Sequence, residues 1–365
     1  MADVFKTLTS LTSGTLYDYR ITALGDGTNY TDSDPSEAST FTTLIPLATP
    51  TGLALTKTTN SITATWNAVA NATGYIVSYV TGAGTPTETT VSATTFTLSS
   101  LAQGVTYDFK VKAISSNSAY EASAYSSVVS ATTLIKLSTP VPTISKTTSS
   151  ITCSWSAIAN ATAYKVSYKQ GSGSYTEVDV SSGTSYTLDS LQEGVTYTFK
   201  VKAVTTNAAY EDSEYSAEVS DETKTTLATP APTLTKTTSS ITIAWSAISN
   251  ATGYVVAYKT GAGAYTEVQV SSPTYSLTGL ASGVTYTFKV KATSTNDDYA
   301  DTPYSSEQSE TTLIKLSTPT NIVVSDVTST SVKITWTDVA NNNGYKLQYK
   351  RDADSEWIDV VIPKE

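Results

Sequence analysis

The chain of 365 residues has no histidine, one cysteine and one methionine. The missing histidine removes the commonest general base and the commonest metal ligand. A single cysteine, Cys153, can form neither an intrachain disulfide nor a thiolate cluster. Positive charge is also scarce, with 22 Lys and Arg against 32 Asp and Glu for a net charge of −10. Such a chain is repelled by phosphate backbones, so no nucleic-acid partner is expected. No run of 18 apolar residues occurs, which argues against membrane insertion by a helix. No charged-then-apolar leader precedes Asp3. No stretch holds a 3.6-residue apolar period long enough for a helix.

Thr, Ser and 24 Tyr dominate what is present. β-Branched and aromatic residues mixed with short polar ones favour strands. The sequence also repeats. "LATPTGLALTKTTNSITATW" returns as "LSTPVPTISKTTSSITCSW", as "LATPAPTLTKTTSSITIAW" and, more loosely, as "LSTPTNIVVSDVTSTSVKITW". The prolines fall at 50, 140, 230 and 319 and the tryptophans at 66, 155, 245 and 336. A step of 89 to 91 residues is domain-sized, too long for one solenoid coil. Within a repeat the apolar residues alternate. "SITATW" puts Ile62, Ala64 and Trp66 on one face, "YIVSY" does so with Tyr75, Val77 and Tyr79, and "YDFKVKA" with Tyr107, Phe109, Val111 and Ala113. Short alternating strands separated by polar turns predict an all-β chain of antiparallel two-sheet sandwiches.

A Pro near the start, a Trp on the second strand, "NATGY-V-Y" on the third and "L-x-x-G-V-T-Y-x-F-K-V-K-A" on the sixth resemble fibronectin type III domains of the bacterial kind. The resemblance covers essentially the whole chain. It implies immunoglobulin-like sandwiches of seven strands without disulfides or an intrinsic catalytic site. Tyr17, Tyr107, Tyr197 and Tyr286 match the family's tyrosine corner. Trp66, Trp155, Trp245 and Trp336 are the matching core markers.

Residues 46–135, 136–226 and 227–315 make three complete repeats. Residues 1–45 match only the C-terminal half of a repeat, and residues 316–365 only the N-terminal half. Placed end to end, the fragments fill one domain. From Trp336 to Tyr17 across such a join is 46 residues, against 41 or 42 from Trp to corner Tyr within the repeats. Alone, each fragment leaves an apolar face and sheet edges open. Phe5, Leu8, Leu11, Tyr17, Tyr19 and Ile21 are stranded on one, and Ile334, Trp336, Tyr345, Leu347, Tyr349 and Trp357 on the other. Residues 316–365 are therefore expected to be completed by residues 1–45 of the next copy, whether a separate chain or a continuation of this one. The partner is self, head to tail. Short linkers such as "TTLIKLSTP" read as one repeat passing directly into the next, which favours a stiff rod over closure of one chain on itself.

Other candidates carry weaker chemistry. Cys153 shares a face with Ile151 and Trp155 and reads as a core thiol, with no histidine to activate it. Asp26, Asp32 and Asp34 in "GDGTNYTDSDPSE" are carboxylates at a spacing that can hold Ca²⁺, although a solvated turn is the better reading and no metal site is expected. "NAT" at Asn71, Asn160 and Asn250 has the form of a glycosylation acceptor but also suits a turn. The outward lysines 110/112, 200/202 and 289/291 are expected to meet Asp and Glu of neighbouring strands, with polysaccharide or a cell surface as the other possible partner. No cofactor is expected. The sequence thus points to a non-catalytic extracellular structural protein, a subunit or period of a filament or surface array. The alternative is an adhesin or a spacer of a larger secreted protein, such as a carbohydrate-active enzyme.

Overall fold

A computed structural model describes residues 5–364. Among them every regular element is a strand. Contacts divide the chain into two bodies, 1–145 with 151–188 and 196–221, and 146–150 with 189–195 and 222–365.

Repeat I shows the plan. Its strands are Ala54–Lys57, Ser61–Thr65, Gly74–Thr81, Thr87–Val91, Thr95–Ser99, Thr106–Ile114 and Val129–Thr132. The first, second and fifth form one antiparallel sheet. The fourth, third, sixth and seventh form the other, in that order. Repeats II and III keep the same three-stranded and four-stranded sheets. Every complete repeat is thus a seven-stranded sandwich.

The alternation decides which face is buried. Phe109, Phe199 and Phe288 are fully enclosed, as are Val111, Val201 and Val290 beside them. Burial of one such side chain contributes roughly 1.5–3 kcal/mol. Trp66, Trp155 and Trp245 close the cores at 5%, 6% and 8% exposure. On the opposite face of the three-stranded sheet, hydroxyls pair across strands: Thr63 with Thr97 at 2.9 Å, Thr152 with Thr187 at 2.8 Å, Thr242 with Ser276 at 2.8 Å.

The turns follow the same local chemistry in each copy. In "KTT-S-S", the Thr58 and Thr147 hydroxyls accept the amides of Ser61 and Ser150, three residues on, at 3.0 and 2.9 Å. Gly104 and Gly194 take φ near +70° before the sixth strand. A Cβ on Gly104 would also lie 3.2 Å from Ile135 in the linker. Where the seventh strand has not yet begun, serines stand in for it. Ser123 and Ser126 accept the amides of Ala113 and Val111, and Ser213 and Ser216 those of Ala203 and Val201.

Within each body the linkers pair with the loop between sixth and seventh strands. In the first, Ile45–Pro46 runs parallel to Tyr120–Glu121, and Ile135–Lys136 to Tyr210–Glu211. In the second, Thr225–Thr226 runs parallel to Tyr299–Ala300. The next linker residue, Leu47, Leu137 or Leu227, is buried.

Candidate interaction surfaces

The N-terminal fragment keeps the sixth and seventh strands of a repeat. Leu16–Tyr19 pairs with Ser39–Thr42, and Tyr17 stacks on Phe41 with ring centroids 5.6 Å apart. Its corner is that of the full repeats. Ser10 takes positive φ as Ser100 and Ser190 do, and the Thr43 hydroxyl donates to Thr12 O as Thr133 does to Ala102 O. Ser33 and Ser36 accept the amides of Ala23 and Ile21, matching Ser213 and Ser216. These shared bonds fix the equivalence of Tyr19 with Phe199, Ile21 with Val201 and Ala23 with Ala203. The segment aligned with the fifth strand, residues 5–9, forms no strand. Leu8 stands at the place of Leu188. Lys6 stands at that of Tyr186, with Phe5 beside it.

The C-terminal fragment keeps the first four strands as two separate hairpins, Val323–Ser325 with Lys333–Thr335 and Gly344–Tyr349 with Ile358–Pro363. In a full repeat the second strand pairs with the fifth and the third with the sixth. Here those edges carry no pairing among the described residues.

The predicted interface residues accordingly lie open. Tyr19 and Ile21 are 44% and 68% exposed where Phe199 and Val201 are enclosed. Phe5, Leu8, Tyr349 and Trp357 are exposed, and Leu11, Tyr17, Ile334, Trp336, Tyr345 and Leu347 are half-buried. Trp357 does not lie on the core side of the hairpin. It sits over Lys350 Nζ at 5.5 Å, at the position Tyr175 and Tyr265 hold on the outer face of repeats II and III.

Of the tyrosines aligned with the corner, Tyr197 is buried, Tyr107 and Tyr286 are half-buried, and the Tyr17 hydroxyl accepts the Thr12 amide at 2.8 Å. A second tyrosine, on the third strand, makes a bond shared by all four Trp-bearing segments. The hydroxyls of Tyr75, Tyr164, Tyr254 and Tyr345 accept the amides of Val69, Ile158, Ile248 and Val339 at 2.7–2.9 Å. The constant spacing from Trp to this Tyr was its only sequence signal.

The outward lysines meet aromatic rings more than acids. Lys110 and Lys112 lie over Tyr125, Lys200 between Tyr175 and Tyr215, and Lys289 between Tyr265 and Tyr304. Among the described residues only the second of each later pair forms an ion pair with a carboxylate, Lys202 with Asp212 at 3.3 Å and Lys291 with Asp301 at 4.0 Å. The tyrosines supply the acids instead: Tyr125, Tyr215 and Tyr304 donate to Glu88, Glu177 and Glu267. Partial burial and the adjoining carboxylates push the Tyr215 and Tyr304 hydroxyls up to about 12.

Cys153 is fully enclosed and burial pushes its thiol up to about 11. Asp26 Oδ1 accepts the amides of Asn29, Thr28 and Tyr30 at 2.7, 2.9 and 2.9 Å, which hold its carboxyl down at about 2. Asp32 Oδ1 accepts the Gly25 amide, just as Asp212 serves Thr205 and Asp301 serves Ser294. Among the described residues Asp26, Asp32 and Asp34 form no metal-binding set. Asn71, Asn160 and Asn250 take φ of 64–66° in the turn before the third strand. A cleft of about 840 Å³ on repeat III is lined by Val255, Glu267, Lys291 and Asp301 among others. Its acids are already engaged, Glu267 by Tyr304 and Asp301 by Ser294 and Lys291.

Tandem seven-stranded sandwiches closed by a Trp–Tyr pair, with linkers laid on the loop between sixth and seventh strands, define a chain of immunoglobulin-like modules. The fibronectin type III domain family matches residues 48–129, 139–220 and 230–308, so the chain belongs to that family. It is 35% identical over 156 residues to chitinase A1 of Niallia circulans, covering 40% of this chain and 22% of that one. It is 31% identical over 157 residues to mouse fibronectin type III domain-containing protein 7, covering 42% and 20%. The chain thus spans about a fifth of these relatives. Chicken CNTN1 FN1-FN3 domains align over 74% of this chain and 99% of theirs, at 18% identity and a TM-score of 0.36.

Proposed function

We propose that the chain is a non-catalytic extracellular structural protein, a subunit or a period of a longer chain, whose copies, separate or covalently continuous, join head to tail, the C-terminal fragment of one and the N-terminal fragment of the next making a composite sandwich. One observation carries this reading: the two fragments hold complementary strands of one repeat, and their matching edges are open. Copying the pairing of repeat II, in which Tyr168, Val166 and Tyr164 face Phe199, Val201 and Ala203, sets Tyr349, Leu347 and Tyr345 against Tyr19, Ile21 and Ala23. The backbone donors match too. Leu191 and Lys224 donate to Ser149 and Thr147 in the full repeat. The equivalent donors are Leu11 and Leu44, and the equivalent acceptors Thr330 and Thr328. A head-to-tail contact of this kind does not close on itself and extends, and its core resembles strand addition to an open sheet edge.

Sedimentation velocity of the full chain tests this. Mass rising with concentration is expected, with Trp336→Ala remaining a single copy. A single species at every concentration overturns it. A second reading, a spacer or adhesive region of a larger secreted protein, is supported by the matches to chitinase A1 and to fibronectin type III domain-containing protein 7, each confined to about a fifth of those proteins.

A further inference from the structure

The linker leaving repeat III repeats "LIKLSTP", the sequence that leaves repeat I. The two behave differently. In the first, Ile135 N donates to Ala209 O at 3.1 Å, Leu137 N donates to Glu211 O at 2.9 Å, and Leu137 is buried. In the second, Ile314 is 74% exposed and Leu316 47% exposed, and neither lies in a strand. Conversely, among the described residues no linker pairs with the loop between sixth and seventh strands of the N-terminal fragment. Tyr30, at the position of Tyr120, Tyr210 and Tyr299, is 72% exposed.

Charge says that these two belong together. Four residues past the loop tyrosine stand Ala124, Glu214, Pro303 and Asp34. Ala124 and Pro303 are in loops whose linkers offer Pro46 and Thr226. Glu214 is in the loop whose linker offers Lys136, and it forms an ion pair with that lysine. An acid at this position therefore accompanies a lysine in the linker. Asp34 is the remaining acid and Lys315 the remaining lysine.

We propose that Ile314–Leu316 of one copy docks in parallel on Asn29–Thr31 of the next, with Ile314 N donating to Asn29 O, Leu316 N to Thr31 O, and Lys315 paired with Asp34. This inference rests on the head-to-tail reading and adds a second joint to it, outside the composite core. The joint ties the linker leaving repeat III to the composite domain by the pairing that ties each earlier linker to the repeat it enters. It also assigns Asp34 a lysine partner in place of a cation. A parallel strand pair brings facing Cα atoms within disulfide reach. The enclosed Cys153 leaves an engineered thiol as the reactive one.

The test mixes two variants of the 365-residue chain, Ile314→Cys and Tyr30→Cys, under mild oxidation, with association followed by light scattering. A disulfide-linked dimer forming at least about tenfold faster than with Ile314→Cys and Thr28→Cys supports the joint, since docking raises the local thiol concentration. Lys315→Asp in the first partner should slow the reaction, and Asp34→Lys in the second should restore it. Copies that associate without this cross-link, or that cross-link equally fast out of register, overturn the joint and leave the composite sandwich standing. Copies that do not associate overturn both.

Discussion

Trp155 meets Tyr164 edge to face, with ring centroids 5.2 Å apart, while the Tyr164 hydroxyl holds the Ile158 amide at 2.8 Å. One aromatic pair thereby ties the second strand, the loop after it and the third strand together. Trp336 and Tyr345 keep the same arrangement at 5.1 Å, with the Val339 amide at 2.7 Å. The open C-terminal fragment thus already carries the inter-sheet clasp of a finished domain.

Tyr164→Phe keeps the ring and removes the acceptor of a part-buried amide. Repeat II should lose about 1–3 kcal/mol. Hydrogen exchange of peptides from 151–204 in the full chain reads this directly. Unchanged protection there would mean that the hydroxyl contributes nothing.

Phe199 lies at the centre of repeat II with no exposure. Phe199→Ala should cost about 3–5 kcal/mol, whereas Val141→Ala, at a side chain 80% exposed, should stay within about 0.5 kcal/mol. Urea denaturation of the full chain, followed on repeat II peptides, separates the two.

The alternation of apolar residues made the sandwich legible, because period two assigns each side chain to a face before any contact is known. Trp66 and Phe109 were placed that way. The tyrosine clasp was not legible, since the direction of the Tyr75 hydroxyl depends on how the loop at Val69 folds back over it. The lysines on the sixth strand looked ready for acids because sequence shows charges more plainly than rings. Tyr125 lies over Lys110 between Ser123 and Ser126, which hold the segment after the loop on the sixth strand through the Ala113 and Val111 amides. The linker pairing was also hidden: "TTLIKLSTP" reads the same after repeats I and III, and only the loop at Tyr210 gives one copy a partner.

Cys153 should resist a thiol reagent at pH 8 in the native chain and react fully in denaturant. Burial keeps it protonated until about pH 11, so the reactive thiolate is rare below that. Rapid native labelling would contradict its enclosure.

Asp26 is held down at about 2 from an ordinary 3.8. A lowered folded-state value means that its contribution to the turn is complete above the ordinary value and is lost as pH falls through about 2. Amide chemical shifts of Thr28, Asn29 and Tyr30 should therefore hold from neutral pH to about 4 and move together below about 3. In Asp26→Ala those amides should already be displaced at neutral pH. A midpoint near 4 in the parent would show that the three amides do not bind the carboxylate.

The central claim is that two open fragments make one domain, and pairing two one-ended variants tests it most directly. Trp336→Ala disables the C-terminal fragment, and Ile21→Asp places a charge on the open face of the N-terminal one. Each variant alone keeps one competent end, and neither can join to itself. Sedimentation velocity of an equal mixture should show a dimer and no larger species, while the parent at the same concentration grows further and each variant alone stays single. A mixture that remains single, or variants that assemble as the parent does, would contradict the composite domain.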